Sequence, residues 1–205
     1  MNRFFILIFT LCLPAMGHAT EDTEALLAKI RQETGKIQTL SADFSSVKKV
    51  SFLKDPINSR GRLYYSSEGK MRWEILFPFK LAMTFDGSKV NRYTQDQQGI
   101  WKPLPPQFDP VLAEVMKQLQ VWLSGRAFTM DKNYQVRVLS QQPVRIQLIP
   151  RREDMQRMLK SLDFTFGKEL NVVTMLQLTE GSGDTTRIEY RNLQLNQPME
   201  GGLFQ

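Results

Sequence analysis

The chain has 205 residues, 41% hydrophobic and 23% charged, with 27 Lys and Arg against 21 Asp and Glu, a net charge of +6. It holds a single Cys and a single His, Cys12 and His18. Disulfides, Cys/His metal sites and imidazole- or thiolate-based catalysis are excluded if the segment carrying both is removed. The basic excess is modest, and with an exported address it fits anionic headgroups or an acidic protein face, not nucleic acid.

That address is read from the first residues. Met1-Asn2-Arg3 supplies a positive start, and Phe4 to Leu13 an apolar run too short to span a bilayer. Gly17-His18-Ala19 places small residues where a signal peptidase inspects the chain, so cleavage is expected after Ala19, with residues 20–205 as one periplasmic domain. Leu11 before Cys12 is too bulky for lipoprotein processing, so no lipid anchor is expected.

Leu26, Leu27, Ile30, Thr34 and Ile37 then fall on one side of a helix, which Thr20, Asp22 or Thr23 can cap. From Leu40 the apolar period changes to two. Ala42 and Phe44, then Leu63 and Tyr65, then Met71, Trp73 and Ile75, then Phe79, Leu81, Met83 and Phe85 predict antiparallel strands with one apolar face each. Ser67-Glu68-Gly69, Asp86-Gly87 and Gln98-Gly99 sit where hairpins must reverse. Pro78 has no N–H to give a ladder, and the prolines from Pro103 to Pro110 end the first run of strands.

A second helix is predicted next, with Asp109 as N-cap, Pro110 at its first position and Gly125 just past its end. Val111, Leu112, Val115, Met116, Leu119, Trp122 and Leu123 give it a wide apolar stripe. Strands return with Val136 and Val138; Val144, Ile146 and Leu148; Leu162, Phe164 and Phe166; Leu176 and Leu178; Ile188 and Tyr190; Leu193 and Leu195, with Gly181-Ser182-Gly183 as a hairpin tip. About ten strands and two helices in this length predict one curved antiparallel sheet, mainly β, forming an unclosed barrel with a helical lid. A closed barrel plugged by the helix is the alternative.

Leu40-Ser41-Ala42-Asp43-Phe44, Gly61-Arg62-Leu63-Tyr64, Met71-Arg72-Trp73 followed by Pro78, and Phe85-Asp86-Gly87 before a strand bearing Tyr93 resemble the periplasmic outer-membrane lipoprotein carrier family, LolA. The resemblance implies an unclosed β-barrel whose apolar cavity takes the acyl chains of a lipoprotein from an inner-membrane ABC transporter and passes them to an outer-membrane acceptor. Two departures suggest a specialised relative. Ser67-Glu68 stands where the family often carries an Arg-Pro pair whose Arg helps hold the lid, and the C-terminus stops early, at Phe204-Gln205.

Residue by residue, the expected cavity is lined by Phe44, Leu63, Tyr65, Trp73 and Ile75, by Leu81, Met83 and Phe85, and by Ile146, Leu148, Phe164, Phe166 and Leu178. Val115, Met116, Leu119 and Trp122 form the lid, and Arg72, Arg60 and Arg62 the polar mouth or docking face. A bland alternative accompanies each: aromatic and aliphatic residues at strand spacing pack ordinary cores. The basic groups Lys48, Lys49, Lys54, Arg60 and Arg62, and Arg151, Arg152, Arg157 and Lys160, are each read as flanking a hairpin. A monomer without cofactor or metal is expected, and not an enzyme. Three other readings stay open: a carrier of another lipid or glycolipid, a lipid-sensing scaffold of the same fold, and a hydrolase using Glu153 with Asp154 or Asp43 with Glu74.

Overall fold

A computed structural model describes residues 18–105, 116, 119–123 and 133–204. The opening helix, α1 (His18–Thr34), buries Leu27, Ile30 and Thr34, the stripe expected from spacing, and Ile37 follows them into the same core. The Thr34 hydroxyl donates back to the Ile30 carbonyl at 2.7 Å, and Gly35 N–H to the Arg31 carbonyl closes the last turn.

Eleven strands then make one antiparallel sheet: β1 (Thr39–Lys49), β2 (Ile57–Ser66), β3 (Lys70–Phe77), β4 (Leu81–Phe85), β5 (Val90–Gln95), β6 (Trp101–Pro103), β7 (Tyr134–Gln141), β8 (Val144–Pro150), β9 (Leu159–Phe166), β10 (Val173–Glu180) and β11 (Thr185–Leu195). Their order is β6-β5-β4-β3-β2-β1-β11-β10-β9-β8-β7. Chain-first and chain-last strands meet at the centre, where β1 pairs with both β2 and β11, and the sheet ends at β6 and β7 without closing. The unclosed arrangement is therefore correct and the closed barrel is not.

Turn chemistry fixes the register. Gly69, Gly87, Gly99 and Gly183 all adopt positive φ at the predicted reversals. At the β4–β5 turn, Asp86 Oδ1 accepts the N–H groups of Lys89 and Ser88 and the Ser88 hydroxyl, which holds the carboxyl below its ordinary pKa.

Four details depart from the sequence reading. Trp101–Pro103 pairs with β5 as an eleventh strand too short to show periodicity. Phe79 is in the turn before β4, exposed, and not on the strand. Ile188, Tyr190, Leu193 and Leu195 share one strand, whose phase slips where Asn192, at φ 52°, and Leu193 form a bulge opposite Ala42. A six-residue helix, α2 (Glu153–Met158), connects β8 to β9, so the second basic group flanks a helix and not a hairpin.

Of the predicted second helix, residues 116 and 119–123 are helical, and Met116, Leu119 and Trp122 are buried. Val115, Asp109, Pro110, Val111, Leu112 and Gly125 lie outside the described residues.

Candidate functional site

Alternation along the strands sorts side chains onto two faces. On the concave face, Leu63 stands opposite Trp73, Trp73 opposite Met83 and Met71 opposite Phe85, while Leu176 and Ile146 flank Phe164 and Leu162 lies beside Leu148. Phe44, Leu63, Tyr65, Trp73, Met83, Phe85, Ile146, Leu148, Phe164 and Phe166 join Met116, Leu119 and Trp122 in one continuous cluster. Ile75 and Leu178 are half-buried against it, and Leu81 is half-buried at its margin. The structure thus brings together the expected cavity residues other than Leu81, with the described lid residues.

Aromatic rings hold the middle of this face. Phe44 and Trp73 lie 4.3 Å apart between centroids, Tyr190 meets Trp73 edge-on at 6.4 Å, and Trp122 meets Phe164 edge-on at 4.7 Å. Burial raises the Tyr190 phenol above its ordinary pKa, so this ring stays neutral. Between the helix and the sheet, Leu40, Leu63, Leu119, Trp122, Phe164 and Leu176 border a residual space of about 20 Å³, room for about one water-sized sphere. Leu119 and Trp122 therefore pack closely against this part of the wall. Trp122, only 4% exposed, keeps its indole N–H buried without an acceptor among the described residues, a defect that costs about 1–3 kcal/mol.

The lid lies toward one end of the sheet. A Cβ built on Gly69, in the β2–β3 turn, would stand 3.0 Å from Gln120 Nε2. That turn is tied to the segment after α1 by Ser67 N–H to the Gln38 carbonyl and by Ser67 Oγ to Gln38 Oε1, both 2.8 Å. Toward the other end the concave wall becomes less covered: Trp73 is buried and Ile75 half-buried, Met83 buried and Leu81 half-buried. Past it, a bulge after Ile75 turns Phe77 to the face of Arg60, and Phe79 stands in the turn, 47% and 56% exposed.

The three arginines read as a polar mouth or docking face lie off the concave wall. Arg72 precedes Trp73 on β3, so the pleat sends it to the convex face and not to the cavity mouth or lid. There it is 5% exposed, donates through Nε to Glu74 Oε1 at 2.6 Å and through Nη1 to the Leu203 carbonyl at 3.2 Å, and lies over the rings of Trp101 and Tyr93. Arg62 shares that face, 3.6 Å from Asp43, and Arg60 lies over the Phe77 ring at 5.2 Å. The C-terminal residues Glu200 to Leu203 border a convex groove of about 480 Å³ with Arg62, Tyr64 and Arg72.

One concave-face cation is Arg92, opposite Met83 on β5, half-buried and with its buried Nε unpaired among the described residues. Sequence reasoning missed it, although the alternation Val90, Arg92, Thr94 carries the signal. Of the acidic pairs considered for hydrolysis, Asp43 is engaged by Arg62 and Asn192, Glu74 by Arg72, and Asp154 by Arg152.

An unclosed antiparallel sheet whose concave apolar face is plugged by a short helical segment defines a β half-barrel of the kind that shelters apolar ligands. Residues 35–205 match the family described as outer membrane lipoprotein carrier protein LolA, and the chain belongs to that family. It is 26% identical over 197 residues to an outer-membrane lipoprotein carrier protein of Chromohalobacter salexigens, covering 95% of this chain and 87% of that one. A protein of the same description from Methylococcus capsulatus is 22% identical over 207 residues, covering 99% and 92%. Among solved structures, a LolA superfamily protein from Nitrosomonas europaea superposes with a TM-score of 0.42 at 8% identity, covering 89% of this chain and 97% of that one.

Proposed function

We propose that this chain is a periplasmic lipoprotein carrier, exported by a leader cleaved near Ala19, that shelters acyl chains on its concave face between an inner-membrane ABC transporter and an outer-membrane acceptor. The observation that carries the reading is the unbroken apolar wall, from Phe44 and Trp73 to Phe164, covered by helical residues and not by a second sheet. Family membership supports the cargo class. Among the described residues no helix is long and apolar enough to cross a membrane.

The physical requirement is severe, because each acyl CH₂ exposed to water costs about 0.8 kcal/mol. The residual space beside Trp122 holds no acyl chain, so cargo enters by displacing Met116, Leu119 and Trp122 from the wall. The uncompensated indole N–H lowers the cost of that displacement. Met71, Met83 and Met116 reshape around an irregular guest more readily than branched side chains do.

Native mass spectrometry of the protein purified from its own periplasm tests the proposal. A stoichiometric acylated peptide is expected. A bound glycolipid or other amphiphile would keep the carrier mechanism and change the pathway. A protein that arrives empty and refuses added diacylated lipopeptide would overturn it.

A further inference from the structure

Exposed apolar side chains are not scattered over this molecule. Of the nine large ones exposed among the described residues, eight lie toward one end of the sheet: Val47, Phe52, Leu53 and Ile57 around the β1–β2 connection, Phe77 and Phe79 at the β3–β4 turn, Ile100 between β5 and β6, and Met158 beside the β10–β11 tip. Leu139 alone is at the opposite end, near the β7–β8 turn. The register places these loops on one rim. Lys48 pairs with Ile57, Arg60 with Phe77, and Lys49 with Thr185, while Gly181 N–H donates to the Met158 carbonyl at 2.9 Å. Phe52, at 83%, is the most exposed of all.

The same rim is basic. Lys48, Lys49, Lys54, Arg60 and Lys80 lie in or beside these two connections with Asp55 as their acid. Glu180 on the neighbouring tip pairs with Lys48 at 2.6 Å, whereas Lys49, Lys54, Arg60 and Lys80 make no salt bridge among the described residues. Arg60 lies over the Phe77 ring, which pairs a cation with an aromatic face at the water boundary.

We propose that this rim is a membrane-docking edge that seats on an anionic bilayer, with Phe52, Phe77 and Phe79 entering the headgroup region and Lys49, Lys54 and Lys80 meeting lipid phosphates. An acidic protein face would use the cations but gives no role to three phenylalanines at loop tips. A neutral apolar partner would gain nothing from the lysines. Aromatic side chains flanked by Lys and Arg suit the interfacial zone of a membrane, where the rings partition and the charges stay at the surface. Along the concave wall, Trp73 to Ile75 and Met83 to Leu81 go from buried to half-buried toward this edge, so the rim that touches lipid adjoins the less covered end of that wall. Docking does not depend on the carrier reading: a protein that floats with vesicles yet refuses acyl cargo would leave this proposal standing.

The test is flotation of the purified protein with vesicles of phosphatidylethanolamine and phosphatidylglycerol, against vesicles of phosphatidylcholine alone. Flotation with the anionic vesicles, weakened by salt, is expected. Phe52→Ser with Phe79→Ser should lower partitioning roughly tenfold or more, and Lys54→Glu with Lys80→Glu should lower it on anionic vesicles. Leu139→Ser should leave it unchanged. Because the substituted side chains are exposed, an unaltered thermal unfolding midpoint will show that the fold is kept. No flotation with either vesicle would overturn the proposal. So would binding that responds to the lysine changes but ignores the phenylalanine changes, which would describe an electrostatic surface for an acidic partner.

Discussion

The plug residue Trp122 offers the sharpest thermodynamic prediction. The residue is 4% exposed and packs edge-on against Phe164 at 4.7 Å, yet its N–H finds no acceptor among the described residues. Truncating a buried Trp to Ala costs about 3–5 kcal/mol, and relieving the orphaned donor returns about 1–3, so Trp122→Ala should destabilise by about 2 kcal/mol. Trp122→Phe removes the same donor while keeping an aromatic ring beside Phe164, so it should fall within about 1 kcal/mol of the parent. Urea unfolding followed by circular dichroism reads both, from midpoints at unchanged slope. If Trp122→Phe proves as costly as Trp122→Ala, the indole N–H contributes rather than costs, and the account of a lid held by apolar packing against an unsatisfied donor is refuted.

Further outcomes follow from the same geometry. A Cβ on Gly61 would collide with the Glu74 carbonyl and stand 2.7 Å from Phe44 Cζ, so Gly61→Ala should force β2 away from β3 and cost at least about 2 kcal/mol in urea unfolding; a neutral result would show that the strands yield. Arg72→Met strands the Glu74 carboxylate under the C-terminal residues and should cost about 3–5 kcal/mol, whereas Arg72→Met with Glu74→Leu should recover most of the loss. A double variant no more stable than the single would contradict the buried-pair reading. The Asp86 carboxyl is depressed by its turn N–H donors, so its stabilising effect is complete above the ordinary carboxylate pKa and is lost as pH falls through its lower folded value. Carbon-detected NMR titration should find that low value, and Asp86→Asn should flatten this part of the acid-stability profile.

Much of the fold was legible because the sheet is antiparallel with one buried face. Strict alternation in Met71, Trp73, Ile75 and in Leu162, Phe164, Phe166 fixes both strand and face, and glycines with positive φ mark the reversals. Legibility failed where periodicity is too short or breaks. Trp101–Pro103 has three residues, α2 has six, and the Asn192 bulge shifts phase within one strand. Arg72 reads from the sequence as part of a polar mouth or docking face, but adjacency to Trp73 along a strand means the opposite face, which excludes the mouth. The pleat instead puts Arg92 on the concave face, through pairing with Met83 that only the register reveals. The rim was harder still, since Phe52, Phe79 and Met158 come from distant segments that meet only when β1, β3 and β10 finish at the same end.

The central claim is that acyl chains lie against the concave wall. Tryptophan quenching by a lipopeptide with brominated acyl chains tests it most directly, because bromine quenches only indoles that it touches. In the Trp122→Phe background, one variant keeps Trp73 on the concave face and another keeps Trp101 beside Arg72 on the convex face. Strong quenching of Trp73 with Trp101 untouched is the predicted result. Quenching of Trp101 alone, or of neither while the lipopeptide is demonstrably bound, would place the guest elsewhere and return Trp73 to ordinary core packing.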